Sequence, residues 1–507
     1  MTYILSLDLG TTAIKVALIS TDGKLISKST QEYNLLTPTA LAVELQVETY
    51  WQAFKKGVSE LLLETGISPE SIKVLGISAQ GETLILTDKN GKPVRNAIVW
   101  MDNRAHYEAK ILSSEFPKEE SYRITGQVSI VPTWPASKIL WVRENEPIIF
   151  SKTDKFLLIE DYFIYCMTGK YVAEGSLLTS TAYWNFKTKN WWQDMLRFLR
   201  VDTEQLPEIH ESGDIVGPII PEIAREFGLS PETIVCTGAL DQAAGAIGVG
   251  NIKPGVFSEN TGAALAICAT VDHPVIDPTG RMPCHYHAIP DTYMEHTFTT
   301  GGMVLKWFRD VFCQSAMEVG SETGMDPYDL LGCASGLVVP GCDGLVVLPH
   351  LQGAMAPEDN AKAKGVFYGI TLRHTRAHFL RAIMEAIGFI VRRNIEVMEN
   401  LGISVNELRC LGGGARSAVW NQIKADITGR PVLTMENEEA ACLGAAIIAG
   451  VGVGIFDSIE SACSRMVKVK KCFKPNRKNE KVYSENYRKY MDLYNSLIPV
   501  FAKEKTE

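Results

Sequence analysis

The stretch Gly238–Gly262, GALDQAAGAIGVGNIKPGVFSENTG, decides the fold. One carboxylate, Asp241, opens it, followed by Ala243, Ala244, Gly245, Ala246, Gly248 and Gly250. Small side chains let backbones approach closely, so this run beside an acid reads as a crowded site rather than ordinary core packing. A linker, Asn251–Gly255, leads into an apolar strand, Val256–Ser258, the turn Asn260-Thr261-Gly262 and a second strand, Ala263–Ala269. A polar turn between two strands, with Thr and Gly at its tip, can offer N–H groups and a hydroxyl to a phosphate.

The N-terminus repeats the device, with strand Ile4–Leu7, turn Asp8-Leu9-Gly10-Thr11-Thr12 and return strand Ala13–Ser20. Taken singly, each is as well an ordinary hairpin. As a pair, with Asp8 beside one and Asp241 beside the other, they read as two related lobes that each give a phosphate loop to one cleft.

A chain of 507 residues is too long for one core, so at least two domains are expected. The net charge of −9 argues against nucleic acid or an anionic membrane as the main partner, since either wants a basic patch. No apolar run reaches membrane-spanning length, and Met1 leads straight into strand without a basic flank or cleavage site. Eleven scattered cysteines without a CxxC pair fit reduced thiols, so the expected location is cytoplasmic. The cluster Cys284-His285-Tyr286-His287 cannot close a metal site alone and reads as structural.

Working outward, Glu48–Glu64 has Trp51, Phe54, Val58, Leu61 and Leu62 at helical spacing, with Trp51 in the core. Strand Val74–Ser78 ends in the polar loop Ala79-Gln80-Gly81-Glu82-Thr83, and the apolar segment Ala97–Trp100 ends in Met101-Asp102-Asn103-Arg104. Loops rich in Gln, Glu, Asp and Arg at strand ends suit polyhydroxylated ligands, which need convergent donors and acceptors. The Gln80 loop reads as functional; Asp102 and Arg104 read equally as a local ion pair. Pro132–Asn145 is a loop that becomes a helix with Ile139, Leu140 and Val142 inward. In the second half, Ala377–Glu399 is a long helix, and strand Glu407–Leu411 breaks at Gly412-Gly413-Gly414-Ala415-Arg416-Ser417 before helix Val419–Thr428. Glycines between a strand and a helix start admit a flat ligand, and the helix N-terminus favours anions. Gly450, Gly452 and Gly454 follow the Ala-rich helix Glu438–Ala449 and read as its terminus and a loop.

Taken together these residues resemble the FGGY carbohydrate kinases, which share the actin/Hsp70/hexokinase ATPase fold. Gly365–Glu385, GVFYGITLRHTRAHFLRAIME, is similar to the family's C-terminal signature, and Pro135–Asn145 to its N-terminal one, with a mismatch at Thr133. The resemblance implies an α/β protein of two ribonuclease H-like (actin-like ATPase) domains with a central cleft. Residues 1–250 would carry the sugar acceptor and first phosphate loop, and residues 251–507 the nucleotide. It further implies ATP and Mg²⁺, with Asp241 as general base and Asp8, with Asp241, at the metal. Thr11, Thr12 and Lys15 would meet one side of the polyphosphate and Thr261 and Gly262 the other. Gly412, Gly413 and Gly414 would border adenine and ribose. Gln80, Glu82, Trp100, Asp102 and Gln242 would line the acceptor pocket.

The acceptor is read from the loops. Xylulose kinases typically carry Gln-Met-His-Gly where this chain has Gln80-Gly81-Glu82-Thr83, and glycerol kinases carry Arg-Glu-Thr. Asp241-Gln242 is similar to the glycerol kinase pair, whereas Gly365–Thr371 and Gly412–Ser417 look more like xylulose kinases. A ketopentose such as xylulose is the expected acceptor, with glycerol, erythritol or another polyol as the alternative. An actin- or Hsp70-like ATPase switch without an acceptor stays open. The expected partner is a small-molecule sugar or polyol, and a homodimer is left open.

Overall fold

Ile4, Leu5, Leu7 and Leu9 are fully buried along one short segment. A strand covered on both faces belongs at the centre of a sheet flanked by helices. The computed structural model describes residues 2–503 and has Tyr3–Leu9 in that position. The sheet runs Ile215–Pro218, Ile234–Cys236, Ile72–Ala79, Tyr3–Leu9, Ala13–Ser20, Leu25–Glu32. Its first three strands in sequence form an antiparallel meander, and Ile72–Ala79 and Ile234–Cys236 join in parallel. The short strand Ala239–Leu240 also pairs in parallel with Ile72–Ala79, at its C-terminal end. Helix Val47–Thr65 buries Tyr50, Phe54, Val58 and Leu61 at helical spacing and stops at Gly66, whose φ of 62° no β-carbon favours. Trp51 packs edge-on against Phe227 with ring centroids 5.0 Å apart.

A second sheet repeats the plan in the order Tyr293–Thr300, Ala264–Val271, Gly255–Thr261, Val405–Leu411, Val432–Met435, Val469–Phe473. Gly255–Thr261 pairs antiparallel with Ala264–Val271 and parallel with Val405–Leu411, as Tyr3–Leu9 does with its own neighbours. The chain divides into two compact units. The first runs to Ile252 and takes in Val271–Met294 and Glu439–Lys468; the second holds Lys253–Thr270, Glu295–Glu438 and the residues from Val469 onward. Among the described residues no helix is long and apolar enough to cross a membrane.

Three expectations are corrected. The Gly/Ala run after Asp241 is not the lining of a crowded site. It is the helix Asp241–Gly248, packed on the helix Ala440–Gly452 of the same unit. A β-carbon on Gly444 would lie 1.8 Å from the Ala244 carbonyl oxygen, and one on Gly248 would lie 1.9 Å from that of Ala440. Smallness there serves the crossing of two backbones. Second, Asp8 and Leu9 belong to the strand Tyr3–Leu9 and Asn260 and Thr261 to the strand Gly255–Thr261, so the turns are shorter than expected. In both cases ladder pairing to a parallel neighbour, Ile72–Ala79 or Val405–Leu411, carries the strand further than its apolar pattern. Third, Gly450 and Gly452 lie inside the helix Ala440–Gly452 rather than beyond it.

Candidate active site

In the first unit, Asp241 is the first residue of its helix, directly after the strand Ala239–Leu240. Three buried groups fix that strand. Gly238 N–H donates to Glu160 Oε1 at 2.7 Å, and Leu240 N–H donates to Ser176 Oγ at 2.9 Å. Ser176 Oγ in turn donates to Glu174 Oε1 at 2.8 Å. The Asp241 carboxyl is pushed up to about 7, first by burial and next by the charge of Asp8, against hydrogen bonds from Gln242 that pull it down. Glu82 adds a further push. A carboxyl poised near neutrality can accept a proton from an alcohol and release it again.

Asp8 accepts from Ser78 Oγ at 3.0 Å, and burial raises its carboxyl above the ordinary range despite Lys15. The first turn is bound to both the Gln80 loop and the Trp100 loop. Gln80 Nε2 donates to the Gly10 carbonyl at 3.1 Å, and Trp100 Nε1 donates to Thr11 Oγ1 at 2.8 Å. The other end of the Gln80 amide, Oε1, is buried and makes no hydrogen bond to the protein. Glu82 holds a left-handed φ of 55°, uncommon for a residue with a β-carbon, and burial raises its carboxyl. Thr12 is exposed.

Asp102 is fully buried and its carboxylate is spent inside the protein. It accepts from Val43 N–H at 2.6 Å, from Arg104 N–H at 3.0 Å and from Arg104 Nε. Arg104 continues to Glu44 at 2.7 Å and lies over Trp141. Asp102 is therefore a brace beneath the second loop.

Sequence reasoning missed Lys138. It lies in the helix Pro135–Asn145, is fully buried and donates to the carbonyls of Glu82, Val99 and Trp100 at 2.8, 3.0 and 3.4 Å. Burial pulls its ammonium down to about 7. One side chain thus ties the Gln80 loop and the Trp100 loop together. Its place in the N-terminal signature was the available signal. Glu160, Glu174 and Ser176 left none.

In the second unit, Thr261 ends its strand with its hydroxyl held internally. It donates to Glu259 and accepts from Lys424 Nζ at 3.0 Å, and Lys424 pairs with Glu259 at 2.7 Å. Gly262 N–H closes the tight turn on the Ala264 carbonyl at 2.9 Å. The glycine loop packs on this hairpin: β-carbons on Gly412 and Gly414 would lie 2.3 Å from Asn260 Oδ1 and 2.6 Å from Thr261 Cβ. Gly413 has open space instead. Ser417 then caps the helix Ala418–Thr428, accepting from Trp420 N–H. The Cys284–His287 segment is buried, and among the described residues no cluster of three or more His, Cys, Asp or Glu could hold a metal.

The two halves of this geometry match known proteins. The model of the FGGY family of carbohydrate kinases, N-terminal domain, matches residues 3–248, and that of its C-terminal domain matches residues 263–453. The chain is 32% identical to a gluconokinase of Bacillus subtilis, over 90% of this chain and 89% of that one. It is 30% identical to a xylulose kinase of Staphylococcus epidermidis, over 97% and 96%. A ligand-bound xylulose kinase from Lactobacillus acidophilus superposes with a TM-score of 0.90 at 26% identity, covering 99% of this chain and all of that one. The chain therefore belongs to the FGGY family of carbohydrate kinases, ATP-dependent sugar kinases built on the actin-like ATPase fold.

Proposed function

We propose that this kinase transfers the γ-phosphoryl group of ATP to a hydroxyl of a neutral ketopentose, with xylulose as the first candidate. The observation that carries the reading is Asp241, a carboxyl lifted to about 7 at the start of a helix whose preceding strand is fixed by buried partners. Asp241 takes the proton from the acceptor hydroxyl as that oxygen attacks phosphorus in line. Gln80, Glu82, Trp100 and Gln242 hold the acceptor, and Asp102 buttresses their loops. Thr11, Thr12 and Lys15 are proposed to meet the polyphosphate, as is the turn at Thr261 and Gly262, and Gly412–Gly414 to border the nucleoside.

The donors also fit Mg²⁺, an ion that takes oxygen ligands and few of them from protein. Asp8 would hold it through waters, with Asp241 as the neighbouring carboxylate. The charge of Asp8 helps to lift the Asp241 carboxyl, an effect that a bound cation would relieve. Once bound, the ion would neutralise the polyphosphate; phosphoryl transfer otherwise asks mainly for positioning. Scattered thiols support a cytoplasmic setting. Residues 1–250 and 251–507 are proposed as the acceptor and nucleotide halves, and a homodimer as the assembly.

A second reading, gluconate, is favoured by the 32% identical gluconokinase. Against it, an acidic acceptor would add another carboxylate beside Glu82 and Asp241, where negative charge is already disfavoured. An ADP-release assay over ketopentoses, glycerol, erythritol and gluconate separates them. Xylulose or another neutral ketopentose should give the highest kcat/KM. Gluconate in first place moves the assignment to the second reading, and glycerol or erythritol to a polyol kinase. ATP turnover indifferent to every acceptor points to a switch ATPase.

A further inference from the structure

Asp8 and Lys15 face each other directly across the antiparallel pair Tyr3–Leu9 and Ala13–Ser20. Opposite charges in that register normally close into a contact pair. Here the Lys15 ammonium stops 4.0 Å from Asp8 Oδ2 and lies instead 2.9 Å from Glu439 Oε2. Glu439 comes from a remote part of the same unit, immediately before the helix Ala440–Gly452. At that position a side chain commonly caps the helix, but its carboxylate accepts no cap bond. Its other oxygen, Oε1, is taken by Lys28 at 2.6 Å, from the next strand, Leu25–Glu32. Ser6 Oγ, donating to the Cys442 carbonyl at 2.7 Å, fastens the helix start to the central strand. The carboxylate is thus fixed from both sides and is nearly buried, while both lysines are more than a third exposed.

We infer that Glu439 is a positioning residue for nucleotide binding: anchored by Lys28, it holds the Lys15 ammonium away from Asp8. This leaves the Asp8 carboxylate open and keeps the lysine extended. Without the charge on Glu439, the flexible lysine stem lets the ammonium close on Asp8. Each group then cancels the other. The inference rests on the reading that Lys15 meets the polyphosphate.

Two pictures of Glu439 give opposite signs. As a mere negative charge near a polyanion, its removal should tighten nucleotide binding. As a positioning residue, its removal should weaken it. Calorimetric titration with ADP and Mg²⁺ reads this without turnover. Glu439→Gln should weaken ADP by about 5- to 20-fold, within the range of coupling between neighbouring residues. In a Lys15→Met background the same change should have no effect. Tighter or unchanged binding in Glu439→Gln, while Lys15→Met alone weakens it, overturns the inference and leaves the Lys15 reading standing. Equal weakening in both backgrounds also overturns it, because Glu439 would then act directly. If Lys15→Met leaves ADP affinity unchanged, the Lys15 reading falls and the inference with it. Should Glu439→Gln not fold, Lys28→Met, which frees the anchor, should give a smaller weakening that also vanishes with Lys15→Met. No effect of Lys28→Met in that case overturns the inference.

Discussion

The ammonium of Lys138 donates to the backbone carbonyl of Glu82 at 2.8 Å, and none of the lysine reaches solvent. The same nitrogen reaches Val99 and Trp100, so the Gln80 loop and the Trp100 loop share one fastener. Lys138→Met keeps the apolar stem and removes the donor. Three carbonyls then lose a charged partner, and stability should fall by about 2–4 kcal/mol, since buried acceptors left unmade carry most of their desolvation penalty. The acceptor KM should rise about tenfold or more with a smaller loss of ADP affinity, because the loosened loops reach the first turn only through Gln80 and Trp100. Equal losses for acceptor and nucleotide would assign Lys138 to general stability.

As the proposed base, Asp241 should set the pH dependence. Its folded-state carboxyl titrates at about 7 against an ordinary 3.8, so below neutrality it is protonated and cannot act as a base. Acceptor kcat/KM should therefore rise with pH and fall about tenfold per unit below the Asp241 midpoint, which lies at about 7 without the metal and moves down when Mg²⁺ is bound. Asp241→Asn should lose about 10²–10⁴-fold in kcat with ADP binding kept. The stability sign follows. A raised folded pKa favours folding at low pH and loses that advantage as pH climbs through the folded value. The Asn variant should accordingly gain on the wild type by about 2–3 kcal/mol between about pH 5 and pH 8 in chemical denaturation.

How far the sequence reaches can be argued from such residues. The strands around Asp8 and Thr261 and the helix Arg376–Asn400 were legible because their signals are local, a polar turn between apolar runs and an apolar stripe at helical spacing. Lys138 was not, because one lysine among Ile139, Leu140 and Val142 looks the same in sequence whether it faces water or three carbonyls. Nor was Glu439, whose two partners lie on strands at the opposite end of the chain. The Gly/Ala run after Asp241 misled for a related reason: close backbone approach was read correctly, but its partner was another helix.

That helix crossing carries its own test. Gly444→Ala places a methyl group 1.8 Å from the Ala244 carbonyl oxygen, so the helix Asp241–Gly248 has to shift. Overpacking of this kind costs about 1–3 kcal/mol, read as a lower Tm. Asp241 is the first residue of the displaced helix, so kcat should fall more than ADP affinity does. An unchanged kcat in a folded, destabilised variant would separate the crossing from the base.

The last expectation concerns the ion pair under the turn at Thr261 and Gly262, proposed to meet the polyphosphate. Lys424 and Glu259 are almost wholly buried, 2.7 Å apart, with Thr261 and Cys410 as further partners of the carboxylate. Removing one member leaves an uncompensated buried charge, which typically costs about 3–5 kcal/mol, far more than a surface pair is worth. Lys424→Met and Glu259→Gln should each lose stability on that scale in chemical denaturation. The double variant should lose clearly less than the sum, by about 2 kcal/mol or more, because no unpaired charge remains. Additive losses would show that the two groups act separately. Thr261 supplies the functional readout. Its hydroxyl is oriented by both members, so whichever variants fold should bind ADP more weakly than the wild type, with the acceptor KM unchanged.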